Sequence, residues 1–139
     1  MIVLDTNVIS EAMRPAPDAA VMAWLRAQPL SEIATTAVSL AEIDYGLCRM
    51  PPGRRRKDLE ARLRTFLARG FDDRILPFDA AAAGLYGSIV TSRQAMGRPI
   101  DAFDAMIAAI ARSRMAAIVT RNVADFEGCG VTVLDPWRA

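Results

Sequence analysis

Ile2-Val3-Leu4-Asp5-Thr6-Asn7 sets three branched apolar residues directly before three of the types that stop strands and cap helices. A short, wholly apolar run of this kind fits a strand buried on both faces of a parallel sheet. The polar triplet fits the turn into a helix. The pattern recurs along the chain. Glu32 to Thr35, Arg74 to Pro77, Ala117 to Thr120 and Val131 to Leu134 read as four further short strands. Between them lie a helical turn over Val8 to Met13 and a helix from the Asp18 cap to about Ala27, stopped by Pro29. Helices follow over Thr36 to Arg49, Asp58 to Arg69, Asp79 to about Met96 and Asp101 to Arg114, with a short turn from Asn122 to Phe126. Strands alternating with helices predict an α/β fold whose parallel sheet is covered on both faces. In such sheets ligands bind outside the carboxyl ends of the strands, near a switch in strand order. Asp5, Asn122 and Asp125 all follow strands, which puts them at that edge.

The 139 residues fit one domain, 1–139, with a core that needs no staples. Hydrophobic residues make up 53% and charged residues 24%, a globular balance. A net charge of +1 carries no bulk signal for nucleic acid or membrane. Locally, Arg54-Arg55-Arg56-Lys57 forms a basic run, readable as a solvated helix start, an RNA contact or a protein contact. Of the 17 basic residues only Lys57 is a lysine; arginine suits phosphate, although genome base bias gives the same count. Cys48 and Cys129 are too few for a disulfide framework or a zinc site. Asp5 comes too soon for a signal peptide, and no apolar run approaches ~18 residues. The expected setting is the cytoplasm. The chain has no histidine, which removes Ser-His-Asp and Cys-His catalysis.

Asp5, Glu42, Asp104 and Asp125 are the candidate chemistry. Each has an ordinary explanation. Asp5 can end a strand while Thr6 or Asn7 caps the next helix, and Ser39-x-x-Glu42 has the form of a capping box. Asp101 is a natural N-cap, Asp104 the acid favoured in a first turn, and Asp125 follows an Asn122 cap in the same way. Yet the helix around Glu42 is apolar about most of its circumference, and Asp104 leads into Ala105-Met106-Ile107-Ala108-Ala109, a helix fit for the core. Only Arg121 lies near enough in sequence to neutralise them. Like charges ~4 Å apart repel by roughly 4 kcal/mol at the dielectric of a protein surface. Four such acids together call for a hard cation with oxygen ligands.

At these residues the chain resembles the PIN-domain ribonucleases of the VapC toxin type, and most of all their FitB-like subgroup. The resemblance runs through Ile2-Val3-Leu4-Asp5-Thr6-Asn7-Val8-Ile9-Ser10, Ala41-Glu42, Asp104-Ala105-Met106-Ile107-Ala108-Ala109, Thr120-Arg121-Asn122, Asp125-Phe126 and Asp135-Pro136-Trp137. It spans essentially the whole chain. It implies a three-layer α/β/α sandwich around a central parallel five-stranded sheet, and cleavage of RNA that depends on Mg²⁺ or Mn²⁺. It further implies that Asp5, Glu42 and Asp104 hold the metal and that Asp125 or Asn122 completes the site. Some relatives carry their fourth acid where this chain has Asn122, which leaves Asp125 to supply that charge. Thr6, Asn7, Thr120 and Asn122 would orient the carboxylates, and Arg98 and Arg121 would bind RNA.

The resemblance also implies an antitoxin partner that occludes the site, a homodimer, and a dimer of toxin–antitoxin heterodimers as the larger assembly. Apolar residues on the second and third helices, Trp24 and Tyr45 among them, are candidates for such contacts, although most are expected to be core. Two other readings compete. A phosphoaspartate or phosphatase-like α/β protein would phosphorylate Asp5, but needs an acid two residues on and a lysine opposite; here stand Asn7 and a distant Lys57. A non-catalytic binding module would keep the fold and use no metal.

Overall fold

The computed structural model describes residues 1–69, 71 and 74–139. Five strands form the sheet: β1 (Ile2–Leu4), β2 (Ile33–Thr36), β3 (Ile75–Leu76), β4 (Ala117–Val119) and β5 (Val133–Leu134). All neighbours run parallel, in the order β3-β2-β1-β4-β5. The chain leaves β1 toward β2 and returns on its other side as β4, so the switch in strand order falls at β1.

The pleat divides the core. Val3, Ala34 and Ile118 point to one face, where they meet α5 (Ala80–Ala95) and α6 (Ala102–Ser113). Leu4, Ile33 and Val119, one residue away in each strand, point to the other. There they meet α1 (Thr6–Ala12), α2 (Ala19–Arg26), α3 (Ala37–Arg49) and the apolar stripe of α4 (Arg54–Ala68). The result is the three-layer sandwich expected from the strand and helix pattern. Ala105, Ala108, Ala109 and Ala111 of α6 are fully buried, and their small side chains let α6 lie close to both the sheet and α5.

Several local readings are corrected. Asp5 itself is the N-cap of α1: its carboxylate accepts the Thr6 N–H at 2.8 Å, so neither Thr6 nor Asn7 takes that place. The cap of α3 is Thr36, whose hydroxyl accepts the Ser39 N–H at 3.0 Å. Ser39 therefore lies within the helix and the Ser39–Glu42 box does not form. Helix α3 buries Ser39, Ile43 and Leu47 on one stripe, while Tyr45 is 64% exposed and is not core. Trp24 is half-buried against the second cluster. Helix α4 begins at Arg54, so the basic run is its first turn, with Lys57 N–H bonded to the Gly53 carbonyl at 3.1 Å. Arginine and lysine are good helix formers, and solvent relieves their repulsion. The Asn122 side chain makes no capping bond to the 3₁₀ turn Val123–Phe126.

Filling the small-residue seam tests this packing. Ala108→Leu should lower unfolding stability by about 1–3 kcal/mol through overpacking, read as an earlier midpoint in urea with an unchanged slope.

Candidate functional site

The carboxyl ends of β1 and β4 lie side by side because those strands pair in parallel, Leu4 beside Val119. The residues that follow them, Asp5 and Thr120, are joined directly: the Thr120 hydroxyl donates to Asp5 Oδ2 at 2.8 Å. The Asn7 amide donates to Thr120 Oγ1 at 3.1 Å, and more weakly to Asp5 at 3.5 Å. Thr120 Oγ1 also accepts the Asn122 N–H at 3.1 Å, and Asn7 Oδ1 accepts the Arg121 N–H at 3.3 Å. Asn7 and Thr120 thus stitch two strand ends into one rigid floor.

Above this floor opens a cleft of about 700 Å³. Asp5, Glu42, Asp104 and Asp125 all line it, from the end of β1, from α3, from α6 and from the turn after β4. Asp101, the N-cap of α6, lines it as well. Glu42 faces the cleft because its Oε1 accepts the Thr6 hydroxyl at 2.8 Å. Thr6 and Thr120 therefore aim one carboxylate each.

The electrostatics are those of crowded acids. Burial pushes the Asp5 carboxyl up, against the hydrogen bonds from Thr120 and Thr6, and Asp125 adds to the rise. Glu42 is raised by burial too, with Asp5 and Asp101 adding repulsion and the Thr6 bond opposing. Asp104 is raised to about 7, first by burial, then by the charges of Asp5, Asp125, Asp101 and Glu42. Among the described residues Asp104, unlike Asp5 and Glu42, receives no hydrogen bond that opposes burial and the neighbouring charges.

Basic groups stand at the rim and leave the acids unpaired. Arg14, Arg55 and Arg121 line the cleft, so Arg121 is not alone there. Arg14 is held by the buried Glu11, at 3.2 and 3.3 Å, and the Arg121 guanidinium lies 5.3 Å from the centre of the Trp137 ring. Among the described residues no ion pair reaches Asp5, Glu42, Asp104 or Asp125. Arg98 is not part of the cleft lining: its guanidinium pairs with Glu127. Lys57 does not line the cleft either, which removes the lysine a phosphoaspartate site would need.

An all-oxygen set of carboxylates suits a hard divalent cation such as Mg²⁺ or Mn²⁺. Among the described residues no three of these groups already stand at coordination spacing. Two are fixed by hydroxyls, while Asp104 and Asp125 have no hydrogen-bond partner among the described residues and are free to turn.

Residues 2–127 match the sequence model of the PIN domain. The chain belongs to the PIN-domain family. It is 38% identical to the VapC ribonuclease Y4jK of Sinorhizobium fredii over 138 residues, 99% of each chain. It is 37% identical to Toxin FitB of Neisseria gonorrhoeae, again over 138 residues and 99% of each. The solved structure of FitAcB from Neisseria gonorrhoeae superposes with a TM-score of 0.91 at 37% identity, covering 100% of both chains. Within the family this PIN domain sits with the VapC-type proteins of the FitB-like group.

Sequence reasoning missed Ser10, Glu11, Arg14 and Trp137 as neighbours of the cleft, while Arg55 belongs to the basic run read as a solvated helix start, an RNA contact or a protein contact. Ser10, Glu11 and Arg14 had a helical signal, since positions 10, 11 and 14 share one helix face with Asn7. Arg55 arrives from α4 and Trp137 from the turn after β5; Trp137 stood in the Asp135-Pro136-Trp137 motif of the resemblance but was given no place in the site.

The raised acids set a pH dependence. An acid whose folded pKa exceeds its unfolded value adds stability that is lost as pH rises through the folded pKa. In chelator, the PIN domain should therefore melt higher at pH 5.5 than at pH 8, by roughly 2–5 °C. Asp104→Asn should raise the pH 8 melting point and flatten this dependence, as read by calorimetry.

Proposed function

We propose that this PIN domain is a metal-dependent endoribonuclease and the toxin of a toxin–antitoxin pair, with RNA phosphodiesters as its substrate. One observation carries the reading: four carboxylates from four separate elements surround one cleft, and among the described residues none of them is held in an ion pair. The relatives' names, a VapC ribonuclease and a toxin, support the activity and the toxin role. An antitoxin that covers the cleft, and a multimeric assembly with it, follow from that role, as does action in the cytoplasm where RNA is found.

Asp5, Glu42 and Asp104, completed by Asp125, would hold Mg²⁺ or Mn²⁺. Such an ion, when bound, polarises a phosphoryl oxygen and lowers the pKa of water. The chain's own residues do the rest. Thr120 and Thr6 keep Asp5 and Glu42 aimed inward, so little reorientation is needed when substrate arrives. With no histidine in the chain, Glu42 or Asp125 steers or deprotonates the attacking water. Arg55 and Arg121 in the cleft lining bind phosphates of the RNA, and Trp137 packs against the Arg121 guanidinium.

Labelled transfer and ribosomal RNA fragments, incubated with Mg²⁺, Mn²⁺ or EDTA, test the assignment. Discrete cleavage should require the metal. Asp5→Asn and Asp104→Asn should each lower it at least about 100-fold, since removing even a ligand's hydrogen-bonding partner costs 10–100-fold. Cooperatively folded protein that cuts nothing under any metal would replace this reading with a non-catalytic binding module.

The rim arginines make a separate forecast. Arg55→Ala and Arg121→Ala should raise KM with kcat nearly unchanged. Each should also reduce the slope of log affinity for single-stranded RNA against log salt by about 0.7, measured by fluorescence anisotropy with Ca²⁺ in place of Mg²⁺.

A further inference from the structure

Arg93 is buried to 4% exposure in the last turn of α5, on the side of the sheet away from α1 to α4. A buried arginine ordinarily has a carboxylate partner. Among the described residues Arg93 makes no ion pair; its charge is met by backbone carbonyls instead. Its Nε donates to the Arg98 carbonyl at 2.8 Å. Its Nη1 donates to the carbonyls of Asp125 at 2.6 Å and Glu127 at 3.0 Å, with Ala124 at a longer 3.4 Å. One planar group thus grips two loops that are far apart in sequence.

Both loops carry acids of the cleft. Arg98 begins the connection to Asp101, the N-cap of α6, which carries Asp104 in its first turn. The Arg98 N–H is also taken by the Arg93 carbonyl at 2.9 Å, so Arg93 satisfies both backbone groups of Arg98. The other loop carries Asp125, whose carboxylate has no hydrogen-bond partner among the described residues. At the ends of that turn the backbone bonds are Asp125 N–H to the Asn122 carbonyl at 3.0 Å, and Glu127 and Cys129 N–H to the Ala124 and Phe126 carbonyls at a longer 3.4 Å. The turn also lies hard against α5. Gly128, at φ +76°, sits where a Cβ would fall 2.5 Å from Met96 Sδ. A side chain there would displace the flexible end of Met96 and strain the backbone at its positive φ.

We propose that Arg93 is a positioning residue: its buried guanidinium fixes the Asp125 turn against the loop entering α6, and so sets the cleft's affinity for its divalent cation. The inference rests on the metal-dependent reading of the cleft. Lysine keeps the charge but offers a single nitrogen in place of the fork, and cannot serve both loops with the same geometry.

The test measures Mn²⁺ affinity by electron paramagnetic resonance, with thermal melts and RNA cleavage, in wild type, Arg93→Lys, Arg93→Met, Asp125→Asn and the double variant Arg93→Lys/Asp125→Asn. Arg93→Lys should melt cooperatively and bind Mn²⁺ about tenfold more weakly. In the Asp125→Asn background the same change should cost less than about twofold, because the carboxylate it positions is gone. Wild-type Mn²⁺ affinity in folded Arg93→Lys and Arg93→Met overturns the inference while the ribonuclease reading stands. An undiminished loss in the double variant overturns action through Asp125. Failure of both Arg93 variants to fold assigns the residue to stability alone and overturns it too. A wild type that binds no Mn²⁺ removes the metal reading and this inference together.

Discussion

The bond from the Thr120 hydroxyl to the Asp5 carboxylate, 2.8 Å long, joins residues 115 positions apart. It exists because β1 and β4 are parallel neighbours at the switch in strand order, so their carboxyl ends emerge together. Everything else in the cleft is placed relative to it. Asn7 and the Asn122 backbone attach to the same hydroxyl oxygen, Thr6 carries the geometry outward to Glu42, and α6 and the Val123–Phe126 turn bring the remaining acids to the same edge. A parallel sheet has few other places where two adjacent strand ends leave a gap unfilled by connecting chain.

What is assembled there opposes folding. Burial and mutual repulsion raise Asp5, Glu42 and Asp104 together, a sign that the fold spends stability to keep charge in one place. The opposing stabilisation lies in the two cores on either side of the sheet. Side chains such as Ile107, Ile110 and Ile118 on one face and Leu4, Ile9 and Val21 on the other are fully buried, each contributing roughly 1.5–3 kcal/mol. Strain at the site and surplus in the core belong to one design.

Most of this was legible in the sequence, and the exceptions have physical causes. The strands could be read because a parallel sheet buried on both faces demands unbroken apolar runs, as in Ile2-Val3-Leu4 and Ala117-Ile118-Val119. Helix caps were legible where one polar residue stood alone, as at Asp18, Asp79 and Asp101. They were misread where candidates crowded, because Thr36 and Ser39, or Asp5 and Thr6, differ only in backbone angles that composition does not encode. The acids at the cleft were legible as a set through the resemblance. The rim was legible only in part, through Arg121 and the basic run: Arg55 reaches it by the packing of α4 on α3, and Trp137 by the return of the chain past β5. Arg93 was invisible for a further reason. Its partners are carbonyls, which every residue possesses.

The central strand of this sheet is made first and its neighbour β4 almost last, with β2, β3 and six α-helices between. During synthesis the early residues therefore carry acids but no site. Asp5 has no Thr120 to hold it, and the edge of β1 waits open until some 115 further residues have left the ribosome. Until β4 docks, the nascent chain carries its acids without the floor that joins them. The cleft is complete only once β4 and the turn that follows it lie beside β1.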